Sequence, residues 1–507
     1  MPMNSMRPQD GQQDSQSARF EGMLATTTGE RSDDPMVTTV ASLSESAPPS
    51  PYATRRSVAR ELLARRKIPL ILMMGTLAAG ITYMLVWNVT VRHSNSWAVG
   101  DDLWGIVRGA HYVGWGYIGG IYTPANGINS FPGMSVLLSP VTMLVGMLHM
   151  TESVAPIYLA RPTAALILQP VELLLGSTVI FAVDALAERL DVERKRRFAL
   201  CVIVAVIAWP ASAVWGHAED MLAMTFALYG LVAALDAKWK KCGWLLGFGI
   251  CFQPLVAMML PVLIGAAPAG RRLLLAIRSF ALSAMLVGIA AAGNAADTYR
   301  ALVTQPTAPW VNHPTPWVWL APRVATSRAI QQSPVKIWGH LVPGAIPAAN
   351  SGVLVAGGAG RAIGVVLAAS AGIYVWCRAP GTVRLVWIAA LVLGMRCLFE
   401  AVMTPYYLAP PLILGLIVVS LRDGKRFWSA SALALGVTVF SYSRLGPWVW
   451  WLPVLVAMAA VLALGRPARG GSRSKRPSGL SDSEPDLHTS RAATAGEAVR
   501  ELVRPHS

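Results

Sequence analysis

The chain has 507 residues, of which 54% are hydrophobic and 14% are charged; its mean hydropathy is +0.47 and its formal net charge is +16. Soluble domains usually carry about 25% charged residues, so this composition excludes an ordinary soluble protein. The positive charge does not indicate nucleic-acid binding, because Lys and Arg form short clusters between hydrophobic segments and in both tails instead of one continuous basic face.

Both ends of the chain are polar. Residues 1–66 are rich in Ser, Thr, Pro and Gly and end in a basic run, and residues 466–507 have a similar composition. We expect both tails to be disordered, and the first is too long and polar for a signal peptide. Basic flanks beside the hydrophobic region predict that both termini are cytoplasmic, with anionic lipid as the favoured partner of these runs over DNA.

The region 67–465 is predicted to be an all-α polytopic membrane domain. A helix needs about 20 apolar residues to cross a bilayer, and the apolar runs here do not alternate as barrel strands do. The outer loops are predicted at about 90–163 and 293–350. The clear spans, which give about 10–12 helices once the shorter segments are counted, are predicted at about 68–89, 164–183, 198–214, 221–237, 274–292, 351–376, 382–398, 404–421, 427–440 and 447–464.

The segment 131–150 is apolar but contains Pro132 and Pro140. A full crossing here would place the basic loop 188–197 on the outer side, against the rule that basic loops are cytoplasmic. We therefore predict a re-entrant or interfacial helix on the outer face.

The segment 243–266 is interrupted by Phe-Gln-Pro at 252–254. Because Arg271 and Arg272 follow and should be cytoplasmic, we predict two short helices that go out and return. The resulting even number of crossings agrees with a multi-pass protein of the plasma membrane whose tails both lie inside.

In this topology the unusual polar residues gather on the outer side. Ionisable groups in or near membrane segments are costly, so they indicate function by default. These residues are Asp101, Asp102, His217, Glu219, Asp220, Gln253, Arg396 and Glu400, with Arg361 and Glu172 inside apolar spans.

Each group also has a plainer interpretation. Asp101 and Asp102 could be solvated loop residues. The His217-x-Glu219-Asp220 motif could cap a helix, since acidic groups in a first turn favour the helix dipole; as a metal motif it is weak.

The remaining ionisable residues have similar alternatives. Arg396 and Glu400, four residues apart, could simply pair with each other. Arg361 could reach the interface or a lipid phosphate, and Glu172 could be a protonated or paired group inside the bundle.

Taken together, these residue types fit one kind of chemistry. A carboxylate at the membrane surface can act as general base for an acceptor hydroxyl, and basic residues can hold a lipid phosphate as it leaves. The chain has no Walker motif and no Rossmann loop. An enzyme with this sequence would therefore take its donor from the membrane.

The order of these motifs resembles the GT-C superfamily of polytopic glycosyltransferases, in its bacterial mannosyltransferase-like branch. The resemblance covers about 68–465. Its motifs are the acidic pair in SWAVGDDLWGI, the stretches GAHYVGWGYIGGIYTP and SFPGMSVLLSPV, the acidic GHAED before a later helix, and the broken helix that follows.

The resemblance implies inverting transfer of a sugar from a polyprenyl-phosphate donor to an envelope glycolipid or glycan on the extracytoplasmic face. Asp102, with slight preference over Asp101, would be the base. A divalent metal is used by some relatives but is not demanded here. The residues expected to bind donor or acceptor are His217, Glu219, Asp220, Gln253, Arg361, Arg396, Glu400 and Arg444.

The bias toward Ala, Arg, Gly and Val is typical of a high-GC actinobacterium, which favours mannose or arabinose as the sugar by analogy alone. Two other function classes remain open. The first is a multi-pass transporter or lipid flippase, and the second is a non-catalytic envelope scaffold.

Overall fold

The computed structural model describes residues 66–92, 103–123, 128, 130–148, 162–305, 313–324, 335–337, 340–342, 354–356, 358–443 and 445–468, all within one compact unit. Three of the candidate residues, Asp101, Asp102 and Arg444, lie outside these ranges. So do both predicted tails, apart from Arg66 and residues 466–468.

The described chain is built almost entirely of helices. In chain order they are α1 Lys67–Val86, α2 Leu103–Gly114, α3 Gly133–Met147, α4 Pro162–Ser177, α5 Val179–Arg189, α6 Arg194–Pro210, α7 Ala218–Leu235, α8 Trp239–Phe252, α9 Leu260–Ala266, α10 Arg272–Gly293, α11 Ala295–Tyr299, α12 Gly358–Arg378, α13 Thr382–Phe399, α14 Ala409–Val419, α15 Gly424–Phe440 and α16 Pro447–Gly465.

By length and apolar composition, eight helical segments of the described chain could cross a membrane, which confirms the prediction of a polytopic helical protein. Three of them join neighbouring elements: α4 with α5, α6 with the π-helical turn Ala211–Trp215, and the 3₁₀ turn Ala269–Arg271 with α10. The eight are Lys67–Val86, Ala165–Arg189, Arg194–Trp215, Ala218–Leu235, Ala269–Gly293, Gly358–Arg378, Thr382–Phe399 and Pro447–Gly465.

Strands are very short in the described chain and form three antiparallel pairs. Their bounds are β1 His313–Pro314, β2 Arg323–Val324, β3 Val335–Ile337, β4 His340–Val342, β5 Leu354–Val355 and β6 Val402–Met403, and the pairs are β1 with β6, β2 with β5, and β3 with β4. The span predicted from 351 therefore starts later, at Gly358, because β5 precedes it.

Part of the predicted outer loop 293–350 is fastened to the end of α13. The Thr315 hydroxyl donates to the Glu400 carbonyl at 2.6 Å, and the Trp317 indole donates to the Leu398 carbonyl at 2.8 Å. Strand β1 adds backbone pairing to β6, which follows α13. This segment therefore covers the residues at which α13 ends.

Basic side chains collect at one end of the bundle, which we call the basic end. Here Arg197 Nε lies 2.8 Å from Asp184 Oδ1, and Arg66 pairs with both Asp184 and Glu188. The carboxylates belong to the last turns of α5, whereas Arg66 precedes α1 and Arg197 lies in the first turn of α6. The network thus joins three consecutive spans. The grouping agrees with the positive clusters that the sequence placed on one side.

Helices α2 and α3 pack together at the opposite end. Gly133, the first residue of α3, lies against the backbone of Cys251 near the end of α8, and Gly119 lies against Gly293, where α10 ends. With 15 residues, α3 rises only about 22 Å, less than the roughly 30 Å of a bilayer core.

The break predicted at 252–254 is confirmed. Helix α8 ends at Phe252, and Gln253 is extended (φ −143°, ψ 116°), because a following proline disfavours the helical conformation. A 3₁₀ segment, Pro254–Met259, leads into α9. The chain then returns to the basic end, where the Arg272 guanidinium lies 4.8 Å from the centre of the Trp376 ring.

Candidate functional site

The acidic motif of the sequence lies where α7 begins. Gly216 takes a left-handed conformation (φ 76°) that turns the chain between α6 and α7. His217 occupies the N-cap position of α7, but its side chain makes no capping hydrogen bond. Instead, its Nδ1 lies 2.5 Å from Glu219 Oε1 and 3.6 Å from Asp220 Oδ2.

The first amide of α7 is bound from another helix. The backbone N–H of Ala218 donates to Glu172 Oε1 at 3.4 Å, so a carboxylate of α4 takes the place of the usual side-chain cap. Glu172 is fully buried. As the cap interpretation predicts, His217 is the N-cap residue and Glu219 and Asp220 lie in the first turn, but the His217 side chain faces the two acids and makes no capping hydrogen bond.

The next group comes from α8 and α9 with the break between them, which we call the broken hairpin. The side-chain amide of Gln253 donates to Asp220 Oδ1 at 2.8 Å, and both residues are buried. The proline that ends α8 thus also holds the amide in place, because it keeps Gln253 out of the helix and beside α7. This contact fixes one oxygen of Asp220 and leaves the other facing His217.

A second group forms around Glu400, directly after α13. Its carboxylate is only 3% exposed and accepts from Arg361 Nε at 2.8 Å and Arg396 Nε at 3.1 Å. The Arg396–Glu400 pair is the one that the four-residue spacing predicted. Arg361 reaches the same carboxylate from the first turn of α12 and also donates to Gln305.

Two tyrosines join the acidic and basic groups. The ring of Tyr406 lies 4.1 Å from that of His217, and the Arg396 guanidinium lies 4.1 Å from the centre of the Tyr407 ring. Together the residues form what we call the polar cluster: His217, Glu219, Asp220, Gln253, Arg361, Arg396, Glu400, Tyr406 and Tyr407.

An aromatic wall continues from the cluster. Trp215 packs edge-on against Tyr406 and lies 6.3 Å from Tyr442, centre to centre. Burial raises the pKa of the Tyr442 phenol, so this ring stays neutral at physiological pH. Neutral aromatic rings at a membrane-facing site suit an amphipathic ligand, since one part of the ring is apolar and another can hydrogen-bond.

The charges around the cluster do not balance among the described residues. Arg361 and Arg396 both pair with Glu400, so Glu219 and Asp220 have no guanidinium ion pair among the described residues. The side chains of His217, Arg361 and Arg396 keep 14%, 29% and 15% of their exposure, respectively. These three side chains are therefore partly accessible from outside the bundle.

Seven of the sequence-predicted site residues come together here: His217, Glu219, Asp220, Gln253, Arg361, Arg396 and Glu400. The sequence analysis left out Tyr406, Tyr407 and Gln305. The two tyrosines follow Glu400 closely in the stretch MTPYY, and this proximity was the available signal. Glu172 was expected to be a protonated or paired group inside the bundle, and the structure places it against the first amide of α7.

A close helix contact brings Arg361 to Glu400. A Cβ on Gly360 would lie 1.8 Å from the Phe399 carbonyl oxygen, so only glycine lets α12 begin this near to the end of α13. We expect Gly360→Ala to destabilise the protein by about 1–3 kcal/mol, the range for overpacking, in thermal unfolding of detergent-solubilised protein.

The matched control is Gly436→Ala on α15, where a Cβ would meet no heavy atom within 4 Å. Both changes bring the same small gain in helix propensity. Equal unfolding temperatures for the two variants would contradict the close approach of α12 and α13.

No protein-family model, no curated protein and no solved structure matches this chain. Its function is therefore inferred from the polar cluster.

Proposed function

We propose that the chain is a membrane glycosyltransferase that moves a sugar, mannose or arabinose, from a polyprenyl-phosphate donor to an envelope glycolipid or glycan on the extracytoplasmic face. The observation that supports this proposal is the grouping of two arginines with several carboxylates in one accessible cluster at the ends of helices. Sugar transfer from a lipid phosphate needs cationic groups that bind the phosphate and a carboxylate that accepts the proton of the acceptor.

In the proposed reaction, the bond between the anomeric carbon and the phosphate oxygen breaks while the acceptor oxygen forms a new bond to that carbon. Arg361 and Arg396 stabilise the negative charge that the phosphate gains as it leaves. A carboxylate takes the proton of the acceptor hydroxyl, and we assign this role to Asp102 or Asp101. Glu219 and Asp220 position the sugar or the acceptor.

The position of the cluster at the ends of helices favours sugar transfer over transport. Asp220 is the third residue of α7, Arg361 is the fourth residue of α12, and Glu400 follows the last residue of α13. Substrate sites of secondary transporters instead lie near the bilayer midplane, where discontinuous helices meet. A site at helix ends suits a donor whose phosphate stays at the membrane surface.

The first test uses membranes that contain the full chain and a radiolabelled polyprenyl-phosphate sugar. Arg361→Ala and Arg396→Ala should each lower the rate of sugar transfer by about 10²-fold or more, the usual effect of removing one donor that stabilises a developing charge. The matched control is Arg378→Ala, an exposed arginine at the other end of α12. Unchanged transfer in both cluster variants would refute the phosphate-binding role.

The base is tested separately, with Asp101→Asn, Asp102→Asn and the double variant. Full transfer in all three would refute its assignment to this pair. Uptake of the labelled lipid into proteoliposomes without any sugar transfer would instead identify a transporter or flippase. If deletion of the chain removed neither sugar transfer nor lipid uptake, the non-catalytic envelope scaffold would be the remaining function.

A further inference from the structure

We propose that His217, Glu219 and Asp220 form a binding site for one divalent transition-metal cation, Mn²⁺ or Zn²⁺. The three residues each offer a ligand atom, and these atoms all lie within 4.8 Å of one another. Two atoms bound to one ion at about 2.1 Å are separated by roughly 3.0–3.5 Å at octahedral or tetrahedral angles. The 3.6 Å between His217 Nδ1 and Asp220 Oδ2 is close to that range.

Two buried carboxylate oxygen atoms are free to bind a cation. Glu219 Oε2 and Asp220 Oδ2 are buried and have no hydrogen-bond partner among the described residues, although each side chain is only 1% exposed. A buried carboxylate oxygen without a donor is costly, and a metal ion is one of the few partners that would satisfy both at once. Asp220 Oδ1 already has its contact, to Gln253, and Glu219 Oε1 lies 2.5 Å from His217 Nδ1, a contact that would be given up when this nitrogen binds the ion.

The charge of the surroundings agrees with a divalent ion. Among the described residues, Glu219 and Asp220 have no guanidinium ion pair, because Arg361 and Arg396 both bind Glu400. Buried charges need partners of opposite sign. An ion of charge +2 would balance these two carboxylates without any change in the Glu400 pairs.

Neighbouring side chains also hold the proposed ligands in place, as is usual at metal sites. The Gln253 amide holds Asp220 Oδ1, which orients Oδ2 toward His217, and the Tyr406 ring packs against the imidazole. Partners of this kind fix the direction of the metal-binding atoms.

The combination of one imidazole and two carboxylates favours particular metal ions. An imidazole nitrogen suits Zn²⁺ and other transition metals, while carboxylates also suit Mn²⁺; Ca²⁺ and Mg²⁺ prefer oxygen ligands alone. A bound ion of this kind would supply Lewis-acid stabilisation of negative charge beside the arginines. The site does not depend on the proposed glycosyl transfer, because the ligands are assigned from geometry and charge alone.

Metal binding is measured on the purified, EDTA-treated full chain in detergent, without sugar donor. Titration with Mn²⁺, followed by electron paramagnetic resonance, should show one saturable site per chain, with ¹⁴N coupling from an imidazole. Zn²⁺ should displace the Mn²⁺, and Mg²⁺ and Ca²⁺ should compete at least tenfold less well. Mn²⁺ should also raise the unfolding temperature.

Glu219→Gln and Asp220→Asn should each weaken Mn²⁺ binding by at least tenfold, and His217→Gln should abolish the ¹⁴N coupling. Glu193→Gln is the control, because Glu193 is exposed at the basic end. Wild-type protein without saturable binding would overturn the site, whatever the variants do. So would a ¹⁴N signal that persists in His217→Gln. Sugar transfer is assayed independently, so its absence leaves this result unaffected.

Discussion

Replacing Glu400 with alanine is expected to lower the free energy of unfolding by about 3–5 kcal/mol, the usual cost of removing one partner from a buried ion pair. Glu400 is almost fully buried and binds both Arg361 and Arg396. Without it, two guanidinium groups face each other with no carboxylate between them. The measurement is chemical or thermal unfolding of the solubilised protein.

Glu193→Ala provides the comparison, since its contact with Arg196 is 3.9 Å long and exposed. Pairs of that kind contribute about 0–1 kcal/mol. Glu400→Gln, which keeps one acceptor oxygen and removes the charge, should fall between the two. An effect of Glu400→Ala no larger than that of Glu193→Ala would show that the arginines do not depend on this carboxylate.

A loss of similar size is expected for Asp184→Ala at the basic end. The Asp184 side chain is 2% exposed and pairs with Arg66 and Arg197, so its removal leaves both arginines with Glu188 as their carboxylate partner in the described part of the chain. We expect a cost of about 3–5 kcal/mol. Because Arg66 directly precedes α1, proteolytic cleavage near this arginine should also become faster.

Asp236→Ala tests the same chemistry at the surface of the same end. Asp236 pairs with Arg189 at 2.7 Å, but the two side chains are 27% and 46% exposed. Solvent screens such a pair, and its loss should cost about 0–1 kcal/mol. If Asp184→Ala and Asp236→Ala proved equal in both unfolding and cleavage, the buried network could not be what holds α1 in place.

The sequence was most informative about where residues lie along the helix axes. Runs of apolar residues predicted the spans, the Gln253-Pro254 step predicted the break, and basic clusters predicted one shared end, because each of these signals is local in sequence. The order of polar residues along the spans then placed Asp220 and Glu400 at the same end. Their positions in depth could therefore be predicted without any knowledge of contacts.

Rotation about the helix axes could not be predicted in this way. A helix in lipid is apolar on nearly every face, so its sequence carries little periodic signal to show which side meets its neighbours. For this reason the pairing of Arg361 with Glu400, and that of Glu172 with the first amide of α7, appeared only in the structure. The roles of Asp101, Asp102 and Arg444 stay predictions.

The shortness of the broken hairpin has a consequence for the lipid around it. Helix α8 has 14 residues and rises about 21 Å, whereas the hydrocarbon core is about 30 Å thick. Such hydrophobic mismatch thins the bilayer locally or leaves a depression in its surface. The polar cluster would lie beneath that depression, so a lipid-borne ligand would need to move only a short distance out of the acyl chains to reach it.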